Sequence, residues 1–248
     1  METSPPLLLL FDASQSEVRS KFDALVARDC NMSVDPLGQA EKSKTTILCD
    51  GLTFLCDWSV GQPNVASSKK IFSTIGEEMV HSAMGLALHP HIGEGFRIPE
   101  IAKAFLSLGA SLSRQLGAIA VLWRPAALQT DPDYFGEVID SYVSGGVFPV
   151  LPIVDFEFDD EERVLRSNGL DLLCGQEFEI QSDQMERPEI IRRAIRLAHD
   201  LATNGAVEDE QDVPDIDPDN VIHLTPNNSG NLLICRIKSN AEQIVTLG

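Results

Sequence analysis

The sequence has no long apolar run, no familiar nucleotide or hydrolase motif, and little positive charge. Its longest hydrophobic runs are a few residues, such as 7–11 and 118–123, whereas a membrane-spanning helix needs roughly 18. We therefore expect no membrane segment. The GxGxxG, P-loop, GxSxG and HExxH patterns are all absent. Nucleotide binding and the familiar hydrolase classes consequently have no local support.

Basic residues are scarce: 19 Lys and Arg stand against 38 Asp and Glu, so that the net charge is −19. Thirteen of the acids lie in residues 155–162 and 208–219, which contain no Lys or Arg. A nucleic-acid partner needs a basic surface to displace counterions from phosphate. The densest basic cluster is typical of a solvated helix face, and comprises Arg187, Arg192, Arg193 and Arg196. We expect no nucleic-acid partner, whereas a basic protein partner fits the charge.

Cysteine is also sparse. The five residues are an odd number without a CxxC pair, namely Cys30, Cys49, Cys56, Cys174 and Cys235. Three of them lie within apolar runs, which predicts buried free thiols in a reducing compartment rather than disulfides or zinc ligands. Glu2 stands where a signal peptide would be basic. These features predict a cytoplasmic protein.

The hydrophobic periodicity alternates between strand and helix. A buried strand is predicted at residues 7–11, a hairpin at 45–58 around Asp50-Gly51, and amphipathic helices at 99–116, 131–143 and 188–202. Residues 69–80 fit a short helix. A meander of strands is predicted at 147–158, 164–166 and 170–180, and a closing hairpin at 221–224 and 232–237.

This order of elements predicts an α+β fold with a mixed sheet, for which two ferredoxin-like halves packed together are the more specific architecture. We treat residues 1–248 as a single domain. The alternative division gives an N-terminal half, 1–68, and a C-terminal half, 69–240. Residues 207–220 are predicted to form an acidic loop, interpreted as a disordered linker.

Residues 147–180 contain a strand that ends in acidic positions, a short turn, a Ser-x-Gly-Leu segment, a glycine and a Glu-rich strand. The positions are Ser167, Gly169, Leu170, Gly175, Glu177 and Glu179. With the preceding AIAVLW strand and the 99–116 helix, this pattern resembles an uncharacterised bacterial family of domains of unknown function. Ser167 stands where that family usually has Thr. Some members of such families lie near toxin and immunity systems, so the resemblance implies a binding role and no established activity.

Two imidazoles and a carboxylate lie close together in the sequence at His89, His91 and Glu94. Pro90 favours an extended segment, in which His89 and His91 project to the same side. Zinc or iron accepts such ligands when a further ligand comes from elsewhere. The alternative is a polar strand end followed by a turn. This cluster is the candidate for a divalent metal and for a metal-assisted hydrolase.

Four carboxylates form a candidate acidic surface. Asp155 and Glu157 share one face of a predicted strand, and Asp159 and Asp160 continue into the turn. Paired carboxylates can hydrolyse glycosides or hold Mg²⁺, but they need an enclosed site, which a hairpin tip does not provide. We therefore predict a solvated edge, whose charge also opposes edge-to-edge aggregation.

Two weaker patterns have structural interpretations. Asp215, Asp217 and Asp219 begin like a calcium loop, but its glycine and its final glutamate are both missing, which excludes an EF-hand. Cys174 would need an acidified thiol and a nearby histidine to act as a nucleophile, and its apolar neighbours favour burial.

The sequence thus predicts a non-enzymatic cytoplasmic protein that binds a basic protein partner, with an immunity-like role as one version. We expect no cofactor. The alternative is the metal-assisted hydrolase that uses His89, His91 and Glu94.

Overall fold

The computed structural model describes residues 4–29, 31–34, 43–60, 67–73, 75–181 and 185–239. The described helices are α1 Gln15–Val26, α2 Pro99–Leu116, α3 Pro132–Val143, α4 Val150–Ile153, α5 Asp171–Cys174 and α6 Arg187–Asn204. The described strands are β1 Leu7–Phe11, β2 Met32–Val34, β3 Lys44–Cys49, β4 Leu52–Asp57, β5 Lys69–Ile71, β6 Ser82–Leu88, β7 Ala120–Trp123, β8 Leu128–Thr130, β9 Asp155–Asp159, β10 Val164–Asn168, β11 Glu177–Gln181, β12 Gln211–Pro214, β13 Asn220–Pro226 and β14 Leu232–Ser239.

The α+β class predicted from the sequence is confirmed, and the chain divides into two compact units. Unit 1 is Met1–Ile153 and unit 2 is Val154–Gly248. Each unit has its own mixed sheet, of eight strands in unit 1 and six in unit 2. The boundary therefore differs from the division into 1–68 and 69–240. The reason is that β4 and β1, from before residue 68, both pair with β6, from after it.

The sheet of unit 1 has the order β2-β3-β4-β6-β1-β7-β8-β5 and is antiparallel except for the β5–β8 pair. All five residues of β1 are buried. On one face, Leu7 lies so close to α2 that a Cβ atom on Gly109 would come within 2.4 Å of it. On the other face, Leu8 and Leu10 pack in a cluster that includes Val60 and Ile75. Burial on both faces accounts for the uninterrupted apolar run.

The hairpin predicted around Asp50-Gly51 is confirmed. Asp50 has φ 49° and Gly51 has φ 78°, and Cys49 pairs with Leu52 across the turn. Two successive positive φ values are typical of the type I′ turn, whose twist matches that of the flanking strands.

The helix predicted over residues 69–80 is wrong. The segment contains β5 and a short 3₁₀ turn at Glu77–Met79. The buried Gln129 side chain donates its Nε2 hydrogens to Ser73 Oγ (2.8 Å) and to the Ile75 carbonyl (3.1 Å). These long-range bonds hold the backbone in a non-helical course that local periodicity does not encode.

The sheet of unit 2 has the order β12-β13-β14-β11-β10-β9, with β11–β14 as its parallel pair. Burial alternates along β11, where Phe178 and Ile180 are buried and their neighbours are half-buried. Helix α6 packs against β10 and buries Ile190, Ala194 and Leu201, among others. The sheet therefore has one apolar face under α6, and the opposite face, which we call the open face, carries charged residues.

Two predicted strands, the first of which crosses the boundary between the units, are interrupted by short helices. The strand expected over residues 147–158 contains α4 before β9, and the one expected over 170–180 contains α5 before β11. Gly175, with φ 84°, ends α5 in the left-handed conformation that glycine adopts readily. The closing hairpin of β13 and β14 is confirmed. No helix among the described residues is long and apolar enough to cross a membrane.

Residues 207–220, predicted as an acidic loop, contain strand β12, which pairs with β13. The adjoining Asp215 is buried and binds Arg193 of α6 through both carboxylate oxygens. The interpretation as a disordered linker is corrected accordingly. Arg193 also departs from the predicted solvated helix face, since its side chain is 8% exposed.

Candidate functional site

The structure brings the two histidines of the predicted metal cluster together but pairs Glu94 with another residue. His89 follows β6, and a 3₁₀ turn brings its Nδ1 atom within 2.6 Å of His91 Nδ1. One imidazole must then donate to the other. The Glu94 carboxylate pairs with Arg97 Nη1 (3.0 Å) and is 75% exposed. Across the described residues, no group of three or more His, Cys, Asp or Glu side chains is arranged to hold a metal ion.

The cysteines that can be located are free thiols. Cys56, Cys174 and Cys235 are buried, as predicted, and Cys49 is half-buried, whereas Cys30 lies outside the described residues. Burial raises the pKa of the Cys56 thiol to about 12. The Cys174 Sγ lies 3.5 Å from the Leu170 carbonyl oxygen and 3.2 Å from the Gln176 carbonyl oxygen, which share its single S–H hydrogen. A buried thiol held between two carbonyls is poorly suited to act as a nucleophile.

The motif residues Ser167, Gly169 and Glu177 converge on a hydrogen-bonded loop. The Glu177 carboxylate accepts from Ser167 Oγ (2.6 Å), from the Gly169 N–H (2.7 Å) and from the Asp171 N–H (2.9 Å). Ser167 Oγ in turn accepts from the Phe178 N–H (2.8 Å). All five polar groups named here are thereby satisfied, so the motif holds β10, α5 and β11 together.

The remaining motif residues have separate places. Leu170 is fully buried just before α5, and Gly175 ends that helix. Glu179 lies two residues after Glu177 on β11 and faces Arg166, with 3.7 Å between the Arg166 Nε and Glu179 Oε2 atoms. Glu179 thus belongs to the open face of the sheet rather than to the loop.

A row of charged side chains crosses the open face at Arg166. In the strand register, Arg166 lies opposite Glu157 on β9 and opposite Glu179 on β11. Its guanidinium also contacts Asp159 (Nη1–Oδ2, 3.5 Å) and pairs with Glu162. The N–H groups of Glu162 and Glu161, together with Arg166, hold the pKa of Asp159 below its ordinary value.

A second row continues the polar surface towards β12. Arg236 lies between Gln181 and His223 in the register, and its Nε donates to Gln181 Oε1 (2.8 Å). His223 Nδ1 lies 2.7 Å from Asp212 Oδ1, and its Nε2 lies 2.9 Å from Glu210 Oε1. This row was not predicted from the sequence. The alternation of polar and apolar residues over 222–225 and 235–238 is the signal that marks its face.

The four residues of the predicted acidic surface differ in their surroundings. Glu157 is exposed on the edge strand β9, while the Asp155 Oδ1 atom accepts from the Phe156 N–H (2.9 Å). Asp159 accepts the turn N–H groups and contacts Arg166. Asp160 pairs with Arg187 of α6. The structure therefore gathers these carboxylates at one edge of the sheet without enclosing them.

No protein-family model matches this chain, and comparisons with curated proteins and with solved structures found no match either. The resemblance of residues 147–180 to a bacterial family of unknown function stays a prediction carried by the sequence motif alone.

Proposed function

We propose that this chain is a binding protein that holds a basic protein partner on the open face and the β9 edge of unit 2. The observation that carries the proposal is the placement of the acidic residues. Asp155, Glu157 and Asp159 follow every second position of a terminal strand, on the face opposite α6.

The charge of the two units supports this choice of surface. Unit 2 contains 21 acidic and 8 basic residues, a net charge of −13, whereas unit 1 contains 17 and 11, a net charge of −6. Near the β9 edge, Arg166 and Arg187 neutralise part of the charge. Glu157 and Glu161 form no ion pair with another described residue. A surface with such excess charge attracts a basic partner over several ångströms and speeds their encounter.

A metal-assisted hydrolase at His89 and His91 is the second candidate, and the contact between their imidazoles is the observation in its favour. This function needs ligands beyond the histidine pair, because Glu94 is bound to Arg97. Stoichiometric metal in protein purified without chelator, lost in the His89→Ala/His91→Ala variant, would support the hydrolase. Metal-free protein would contradict the hydrolase, and the binding proposal would then be the one that remains.

The binding proposal is tested with fluorescein-labelled octalysine, followed by anisotropy between 20 and 500 mM NaCl. We compare the wild type with Glu157→Lys/Glu161→Lys in unit 2 and with a matched control in unit 1, Asp23→Lys/Glu137→Lys. Both pairs replace exposed acids and change the net charge by the same amount.

We expect the unit 2 variant to weaken binding by about tenfold at low salt and the control by about twofold, because attraction between exposed charges falls with distance and is screened by salt. Binding should also weaken steadily as salt rises. Equal losses in the two variants, or binding that is indifferent to salt, would show that the acidic surface of unit 2 is not the binding site.

A further inference from the structure

We infer that the outer edge of β9 holds its partner as an added β-strand, and that the partner segment alternates basic and apolar residues. This inference rests on the proposed function, since it describes how the acidic surface of unit 2 would recognise a basic chain. The recognised class is an extended peptide segment of a protein, bound by backbone hydrogen bonds as well as by charge.

The first step is the position of β9 in the sheet. It is the terminal strand of unit 2, and within the described residues it pairs only with β10. A terminal strand presents a row of backbone N–H and C=O groups on its outer side, where a further strand can pair. The Phe156 N–H is already bonded to Asp155 Oδ1 at 2.9 Å. A side chain of β9 therefore satisfies this donor when no partner strand is bound.

The second step is the alternation of the two faces along this edge. Asp155, Glu157 and Asp159 lie on the open face, and Phe156 and Phe158 lie on the α6 face. A strand placed beside β9 has its side chains about 5 Å from those of β9, on the same two faces. Its residues on the open face would meet carboxylates, and the residues between them would meet aromatic rings.

The third step is the apolar surface beside β9. Phe156 and Phe158 are only half-buried, whereas Phe178, on the same face of an inner strand, is 0% exposed. Arg187 of α6 lies over the Phe158 ring at 4.8 Å, and Ile191, one turn further along the helix, is 41% exposed. Phe156 and Phe158 form what we call the edge apolar strip. The apolar residues of an added strand would cover this strip.

Charge and shape together select the partner. A segment with lysine or arginine at every second position would place these residues against the carboxylates, and its intervening apolar residues would pack on the edge apolar strip. Its backbone carbonyl would replace the Asp155 carboxylate at the Phe156 N–H. The competing explanation is that the charges on β9 serve only to prevent pairing with any strand.

The experiment uses the full chain and four labelled peptides. Lys-Val-Lys-Val-Lys-Val-Lys has the proposed alternation, and Lys-Lys-Val-Val-Val-Lys-Lys has the same composition in blocks. Two further peptides keep the alternating sequence, one with N-methyl groups on the lysine amides and the other with N-methyl groups on the valine amides. Because alternate amides of a strand point to opposite edges, each methylated peptide blocks one edge.

We expect the alternating peptide to bind about tenfold more tightly than Lys-Lys-Val-Val-Val-Lys-Lys. Only the alternating peptide places its lysines against the carboxylates and its valines against the edge apolar strip. One of the methylated peptides should lose about tenfold in affinity and the other should bind nearly as well as the parent, because a single peptide edge faces β9. Hydrogen exchange of residues 155–159 should slow when the parent peptide binds. The Glu157→Lys variant should shift the preference towards Glu-Val-Glu-Val-Glu-Val-Glu, whereas Glu137→Lys should not.

The outcomes separate this inference from the proposed function. Equal binding of all four basic peptides, with exchange at 155–159 unchanged, would overturn strand addition and leave a charged binding surface in place. Loss of affinity in both methylated peptides would also overturn it, because a bound strand uses one edge. If no basic peptide binds and the octalysine measurement shows no role for unit 2, both the proposed function and the inference of strand addition are wrong.

Discussion

Arg193 and Asp215 form the most thoroughly buried ion pair among the described residues. Arg193 Nε lies 2.8 and 2.9 Å from the two carboxylate oxygens of Asp215, and its Nη2 lies 2.6 Å from Oδ2. Their side chains are 8% and 0% exposed. The Ile216 N–H also donates to this carboxylate (2.7 Å). Both charges are therefore well satisfied, and each depends on the other.

Removing the Asp215 charge should destabilise unit 2 strongly. We expect Asp215→Asn to lower the free energy of unfolding by about 3 kcal/mol, because it leaves the Arg193 charge buried without a counter-ion. The matched control is Asp200→Asn, which removes the partner of Arg196 from a half-exposed pair and should cost less than about 1 kcal/mol. Urea unfolding followed by far-UV circular dichroism compares the two. Similar losses would show that burial does not determine the strength of this pair.

The half-buried thiol of Cys49 allows the effect of its surroundings on a pKa to be measured through its rate of alkylation. It lines a cavity of about 390 Å³ beside α2, and burial, with the charges of Asp50 and Asp29, raises its pKa to about 11. At pH 8 only about one thiol in a thousand is then ionised. We expect alkylation of Cys49 by iodoacetamide to be slow at pH 8 and to accelerate about tenfold per pH unit towards pH 11.

Replacing Asp50 tests the electrostatic part of that shift. Asp50→Asn should speed alkylation of Cys49 at any pH below 11, since it removes a negative charge that disfavours the thiolate. Asp57→Asn, on the neighbouring strand β4, is the control. Tandem mass spectrometry, which locates the modified residue within a peptide, separates Cys49 from Cys56 and from the other cysteines. Alkylation at pH 7.5 as fast as that of a free thiol would contradict the raised pKa.

At the scale of elements, the β3–β4 turn depends on backbone conformation rather than on contacts. Gly51 has φ 78°, and a Cβ atom built there meets nothing within 4 Å. We therefore expect Gly51→Ala to destabilise unit 1 by about 1 kcal/mol, through the cost of the left-handed conformation alone. Asp50→Asn, at φ 49°, should be nearly neutral because asparagine tolerates this region. Trp58, whose Nε1 donates to Thr45 Oγ1 of the same hairpin (3.1 Å), allows unfolding to be followed by fluorescence. An alanine variant as stable as the wild type would disprove the argument.

Short sequence patterns predicted the elements whose conformation is determined by neighbouring residues. Strand β1 is an apolar run, α2 begins with a proline and ends at Gly117, and the β3–β4 turn has the Asp-Gly pair. Strands β5 and β8 were not predicted, because three residues carry little periodicity and their pairing joins positions about 60 residues apart. The register between distant strands is likewise absent from any local window.

The distance in sequence between interacting residues also decides what could be predicted of the site. The acidic stretch of residues 155–162 is visible in the composition, and the structure gathers it at one edge. Arg166 becomes its centre only through pairing with β9 and β11, and Glu177 becomes a loop anchor only once Ser167 lies beside it. Arg193 was predicted to be exposed because its partner, Asp215, lies 22 residues away.

At the scale of the whole molecule, the two units differ in charge and in their spectroscopic reporters. Both tryptophans and both tyrosines lie in unit 1, at positions 58, 123, 134 and 142. Tryptophan fluorescence therefore reports on unit 1, whereas circular dichroism reports on both units. Unit 2 has the larger net negative charge, and its core consists of aliphatic, cysteine and phenylalanine side chains.

Because each unit has its own sheet and core, we expect each to unfold as its own cooperative transition. Circular dichroism in urea should then show a transition that fluorescence does not, and Asp215→Asn should move that transition alone. Raising NaCl from 20 to 500 mM should stabilise unit 2 more than unit 1, because screening relieves the repulsion within a unit of charge −13. Coincident transitions that shift together in Asp215→Asn and in salt would show instead that the chain unfolds as one body.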